Sequence, residues 1–133
     1  MEKEGKSMKQ FVQAYCATGE NCAFAILHAA ATKYKFDLSK ELEDSCAVLQ
    51  AGFGICGTCG ALVASLMVLG ILFSEDDAKR IRLFFFLAFQ EKYHGFDCKT
   101  ISADRTDCMD VMLDIAELLE QQIEQNMEYI KIK

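Results

Sequence analysis

The sequence predicts an all-α fold, a bundle of about six helices with a Gly/Cys-rich turn before the central one. Three observations carry this. Apolar residues recur at helical spacing in successive segments. No stretch shows the two-residue alternation of a half-buried strand. The 133 residues contain no proline, which suits long helices with little loop between them. The length predicts one domain, residues 1–133, with enough chain to bury a core without staples.

The elements follow in order. Residues 6–17 read as an amphipathic helix with Phe11, Val12, Tyr15 and Cys16 on one face, and Gly19 breaks it. A second helix from Glu20 to Tyr34 carries the stripe Cys22, Ala25, Ile26 and Ala29, so Cys22 is expected to point inward. Ser39 caps a third, in which Leu42, Cys46 and Leu49 recur at i, i+4, i+7. The Gly/Cys-rich turn feeds a fourth helix running from Gly60 to Phe73, with Thr58 placed as its N-cap. Ser74 followed by Glu75, Asp76 and Asp77 opens a fifth, which carries Phe84, Phe85, Phe86 and Phe89 and ends at Gly95. Asp97 caps a short turn containing Cys98. The last helix opens near Thr106 or Asp107 and presents Cys108, Val111, Met112, Ile115, Leu118, Leu119, Ile123, Met127 and Ile130 as one stripe.

Composition excludes several functions. A net charge of −6 with no Lys/Arg stripe argues against nucleic acid. The uncharged run from Ala51 to Phe73 has a membrane-spanning length, but Gly52, Gly54, Gly57 and Gly60 break its first half and leave a helix too short to cross. No membrane span is therefore expected. The first six residues lack the apolar segment of a secretory signal, so a cytoplasmic, reducing setting is the expectation. Seven cysteines are many for such a setting and too few for a secreted disulfide scaffold; their odd number leaves at least one thiol unpaired in a monomer with only disulfides.

The chemistry is expected at Gly52–Ala61. A glycine-rich turn entering a helix leaves N–H groups and the positive end of the dipole at its mouth, where Cys59 sits. A thiol so placed ionises more readily, and the thiolate is both the nucleophile and the metal ligand. Cys22 and Cys108 also lie near helix starts, and Cys98 precedes Cys108, so four thiols can converge at one end of the bundle. Cys16 and Cys46 sit within apolar stripes and read as small buried hydrophobes. His28 is assigned to another helix face, partly exposed. His94 lies close enough to Cys98 to be a ligand, or is simply a residue favourably placed at a helix C-terminus. No Cys-x-x-Cys-His, P-loop, dinucleotide fingerprint or Ser/His/Asp order occurs.

Cys59-Gly60-Ala61, followed by Leu66-Met67-Val68-Leu69-Gly70, resembles the signature of the C_GCAxxG_C_C family, to which redox activity is ascribed. The resemblance extends to Asn21-Cys22-Ala23, then to Phe89, Tyr93, Gly95 and Cys98, and to Cys108 ahead of the closing helix. It covers about residues 19–120. The family's four hallmark cysteines map onto Cys22, Cys59, Cys98 and Cys108. Two departures stand out: Ala64 replaces the second glycine of the motif, and Cys56 replaces a glycine or small residue, creating a Cys-x-x-Cys with Cys59. The resemblance implies a bacterial or archaeal protein that serves metal or electron-transfer systems.

Three functions are consistent with these residues. In the first, Cys22, Cys59, Cys98 and Cys108 bind a metal, an iron–sulfur cluster or another thiolate-bound ion, with Gly57 and Gly60 offering backbone N–H groups to it. Zinc fits less well, because its structural sites show paired short spacings and only one Cys-x-x-Cys exists here. In the second, Cys56 and Cys59 are redox-active thiols without a cofactor, with Cys98 or Cys108 as resolving partner. Both imply a redox or electron-transfer protein as partner. In the third, the cysteines only pack, and the chain is a non-enzymatic helical interaction module. The phenylalanine-rich helix fills the core or forms a homodimer surface through Phe84–Phe89.

Overall fold

The computed structural model describes residues 6–49, 57–102 and 109–131, and of Cys98 and Ser102 the backbone alone. Among these the chain is all-α: α1 (Met8–Ala17), α2 (Cys22–Tyr34), α3 (Lys40–Ser45), α4 (Gly60–Leu72), α5 (Glu75–Tyr93), α6 (Cys98–Ser102) and α7 (Met109–Gln125), then a 3₁₀ turn, Met127–Tyr129. The short turn expected at Cys98 is α6. Positions 50–56 and 103–108 lie outside the described residues, and with them Gly52, Gly54, Cys56, Cys108 and the expected start of the last helix.

α4 is the central helix. It packs most extensively on α2 and also contacts α5 and α7, while α1 lies across α2 and α7. Its buried residues, Gly60, Ala61, Leu62, Ala64, Ser65, Val68, Leu69 and Leu72, cover a little over half of its circumference, and the other side, with Val63, Leu66 and Met67, is apolar and half-buried. An all-apolar surface of this kind is stable only inside a bundle. Ser65 is fully buried, and its hydroxyl donates to the Ala61 carbonyl (2.9 Å), so no polar atom is stranded. At 13 residues α4 is too short to cross a bilayer, and no described helix is long and apolar enough to do so.

Local signals place most of the ends. Ser7 forms a capping box with Gln10 before α1. Gly19 turns the chain at φ +95, which glycine alone adopts readily. Ser39 accepts from Leu42 N–H (3.1 Å) and Ser74 from Asp77 N–H (3.3 Å), opening α3 and α5 as expected. Asp97 caps α6, accepting from the Thr100 backbone N–H (2.9 Å) and hydroxyl (2.8 Å).

Four expectations are corrected. α2 begins at Cys22 because Asn21, rather than an earlier residue, caps it by accepting from Phe24 N–H (2.9 Å). α3 ends at Ser45, so Cys46 is its C-cap and Leu49 falls in the following turn. His94, not Gly95, takes the left-handed C-cap of α5 (φ 62). α7 stops at Gln125, which turns Met127 outward to 47% exposure instead of continuing the stripe. Among the other described members of that stripe, Val111, Met112, Ile115, Leu119 and Ile123 are core, with Leu118 and Ile130 partly buried at its edge.

Candidate cysteine centre

Cys22 is the first residue of α2, Cys59 is the N-cap of α4, and Cys98 is the first residue of α6. All three thus stand where helices present unpaired N–H groups and the positive end of their dipoles. Thr58 does not cap α4 as expected. It pairs with Asp97 in an isolated antiparallel bridge, and the next residue, Cys59, becomes the N-cap with no side-chain hydrogen bond closing the helix end.

That bridge organises the site. The Cys59 N–H donates to the Phe96 carbonyl (3.0 Å), and its own carbonyl accepts from Leu62 N–H (3.1 Å) and Val63 N–H (3.2 Å). Backbone hydrogen bonds therefore tie the entry to α4 to the segment that immediately precedes Cys98. The α2–α4 packing brings in the third helix start. The Cys22 thiol is within electrostatic reach of Cys59, and both side chains are half-buried.

Electrostatics at Cys22 run against easy ionisation. Burial pushes its thiol from 9.0 up to about 11, and the neighbouring Cys59 adds to the rise. The N–H groups of Ala23 and of Cys22 itself pull the other way, and Cys16 adds a smaller upward push. A helix-start position is not enough to make a thiolate when the sulfur is desolvated beside a second sulfur.

Around these residues the structure shows what local reading missed. Cys16 does more than fill the stripe: across the Gly19 turn its thiol comes within electrostatic range of Cys22, and burial and Glu20 raise its pKa. Cys46 is a buried hydrophobe as expected, with its thiol donating to the Leu42 carbonyl (3.6 Å). Its own carbonyl accepts from the Asn21 amide (3.5 Å), which links α3 to the cap beneath Cys22. His28 is partly exposed, as expected, but is held: Nδ1 lies 2.9 Å from a Glu20 carboxylate oxygen, and the ring stacks on Tyr15 at 3.7 Å. The Tyr15 hydroxyl in turn bonds Thr32 (2.8 Å). No spacing rule joins Glu20, His28 and Tyr15, because they meet across a turn between two helices.

Gly60 is fully enclosed at the start of α4, and Gly57 is half-exposed in the turn before it. His94 is exposed at the C-terminal end of α5. Cys56 and Cys108 lie outside the described residues, as does the side chain of Cys98. Among the described residues no group of three or more His, Cys, Asp or Glu side chains is placed to hold a metal ion; half of the expected four-sulfur set falls outside that search.

Fold and site together define an all-helical protein in which Cys22, Cys59 and Cys98 stand at helix starts. Residues 20–122 match the family described as "Putative redox-active protein (C_GCAxxG_C_C)", and the chain belongs to that family. No curated protein and no solved structure matches it.

Proposed function

We propose that the protein transfers electrons through a metal centre held by Cys22, Cys59, Cys98 and Cys108, an iron–sulfur cluster being the best fit. The observation that carries this is the backbone pairing of Thr58 and Cys59 with Phe96 and Asp97, which joins two cysteine-bearing helix starts, while α2 supplies Cys22 to the same end. Soft thiolates are the donors such clusters take, usually four at a time. The thiols of Cys22 and Cys59 support that reading. Two half-buried sulfurs close together lose their protons readily only to a cation, and metal binding releases those protons.

When bound, the cluster would supply one-electron chemistry. The chain's own part is to hold the sulfurs, to offer the N–H groups of Ala23, Gly57 and Gly60 to them, and to limit water by the α2–α4 packing. The electron donor or acceptor would be another redox protein, and the chain would work in the cytoplasm.

Anaerobic expression with ample iron, followed by elemental analysis and an ultraviolet–visible spectrum, tests the reading. A brown protein with iron and sulfide, bleached by Cys22→Ala or Cys59→Ala while helical circular dichroism persists, is the expected result. A colourless, metal-free chain overturns it. If Cys56 and Cys59 in that chain interconvert with a disulfide at a defined potential, thiol–disulfide exchange takes its place. If replacing Cys22, Cys59, Cys98 and Cys108 together leaves all redox and metal behaviour unchanged, the cysteines only pack.

A further inference from the structure

α5 has two apolar sides. Ile81, Phe85 and Phe89 are fully buried in the core. Leu83, Phe84 and Leu87 are 56, 52 and 55% exposed on the other side. Of the phenylalanines read as core filling or a homodimer surface, Phe85 and Phe89 are committed to the interior, Phe86 is half-buried against the core, and only Phe84 is half exposed. The apolar surface that needs a cover is Leu83, Phe84 and Leu87, which are neighbours on one helix face.

The polar groups flanking this patch are ordered. Asp76 and Arg80 precede it; Glu91 and His94 follow it. At 3.6 residues per turn, positions 76, 80, 83, 87 and 91 fall within about a quarter turn of one another, making one stripe, and the C-cap His94 lies just past its end. Neither Asp76 nor Glu91 has an ion-pair or side-chain hydrogen-bond partner among the described residues. Arg80 donates to Asp77 (3.3 Å) and Asn126 (3.1 Å) and lies over the Tyr129 ring, yet its side chain is 43% exposed and keeps further donors for a partner.

We propose that this face of α5 is the interface of a homodimer in which a second copy lies antiparallel, with the two-fold axis beside position 85. In that arrangement Leu83 meets Leu87 of the second copy, Arg80 meets Glu91, and Asp76 meets His94. Each pair forms twice, as an isologous contact requires. Parallel pairing would set Arg80 on Arg80 and Glu91 on Glu91, and like charges so placed repel. An unrelated partner would need its own matching order of charges, whereas this stripe already carries both halves of the Arg80–Glu91 pair. The exposed Tyr129 and Met127 lie beyond Arg80 and extend the apolar rim.

Sedimentation of the full chain across the micromolar range tests this. The wild type is expected to dimerise. Leu87→Glu is expected to be monomeric with unchanged helical circular dichroism, because it places carboxylates in the apolar centre. Glu91→Lys and Arg80→Glu should each weaken self-association by at least ~10-fold, about 1.4 kcal/mol. An equimolar mixture of the two should recover a dimer, since both contacts between positions 80 and 91 in the mixed pair join opposite charges. If Arg80→Glu does not fold, Asp76→Lys mixed with His94→Asp makes the same test at the outer pair. A chain that stays monomeric, a dimer indifferent to Leu87→Glu, or mixtures that fail to recover association each overturn the proposal.

Discussion

The α2–α4 pair and the α5 helix both bury apolar surface, but only the pair buries many small side chains beside its large ones. The paired helices bury small residues, Ala23, Ala25, Ala29 and Ala30 on α2 and Ala61, Ala64 and Ser65 on α4, among larger ones such as Ile26, Leu27, Leu62 and Leu69. α5 instead contributes Ile81, Phe85 and Phe89, and it leaves Leu83, Phe84 and Leu87 outside. Small side chains let two backbones approach closely, so the α2–α4 seam positions the helices, and with them the N-termini that carry Cys22 and Cys59. Large side chains fill volume from one side and leave their helix free to present a second face. One region serves alignment, the other filling and contact.

The widest contrast lies within α5 itself. Phe85→Ala removes a fully buried ring and is expected to cost about 3–5 kcal/mol. Phe84→Ala, one position along and half exposed, should stay within about 0.5 kcal/mol in the same chain. Urea unfolding at protein concentrations below the association range checks both. Equal losses at the two positions would erase the distinction between the two faces.

A test of the seam comes next in size. Ala64 occupies the position where the family motif carries glycine, and it is fully buried. Ala64→Leu forces added volume into close-packed surroundings and is expected to destabilise by about 1–3 kcal/mol. Because the same seam aligns the helix starts, the variant should also lose the influence of Cys59 on Cys22. Ala64→Gly should be far milder on that coupling, costing about 1 kcal/mol through helix propensity. A leucine variant as stable as wild type would mean that the seam has slack and does not set the approach.

How much of this was legible in the sequence depends on the range of the interaction. Ser39, Ser74 and Asp97 act on N–H groups three residues away, so local reading places them correctly. Thr58 carries the same local signal and fails to cap, because Asp97, distant in sequence, captures its backbone first. The four-residue spacing of Ile81, Phe85 and Phe89 is matched by Leu83 and Leu87, so periodicity alone cannot say which stripe of α5 turns inward. The packing of α5 on α4 and α7 decides that. Convergence of Cys22 and Cys59 follows from both standing at helix starts. The approach of Cys16 to Cys22 depends on the turn at Gly19, whose geometry no spacing rule supplies.

The smallest effect is confined to alkaline solution and tests whether the seam truly couples the two thiols. In the reduced, metal-free protein, burial and then Cys59 raise the Cys22 pKa from 9.0 to about 11. Below 9.0 the thiol is protonated in both folded and unfolded chains, and its contribution to stability is fully present. Between 9.0 and about 11 the unfolded chain releases the proton while the folded chain retains it, so stability falls as pH rises; above about 11 the loss is complete. Cys22→Ala should flatten that part of the curve. Cys59→Ala should lower the Cys22 pKa only partway, because burial, the larger cause, remains. Thiolate absorbance and urea midpoints recorded against pH for the three chains measure both shifts. A Cys22 that titrates at its ordinary value, or that ignores the loss of Cys59, would separate the two helix starts and remove the seam's part in assembling the centre.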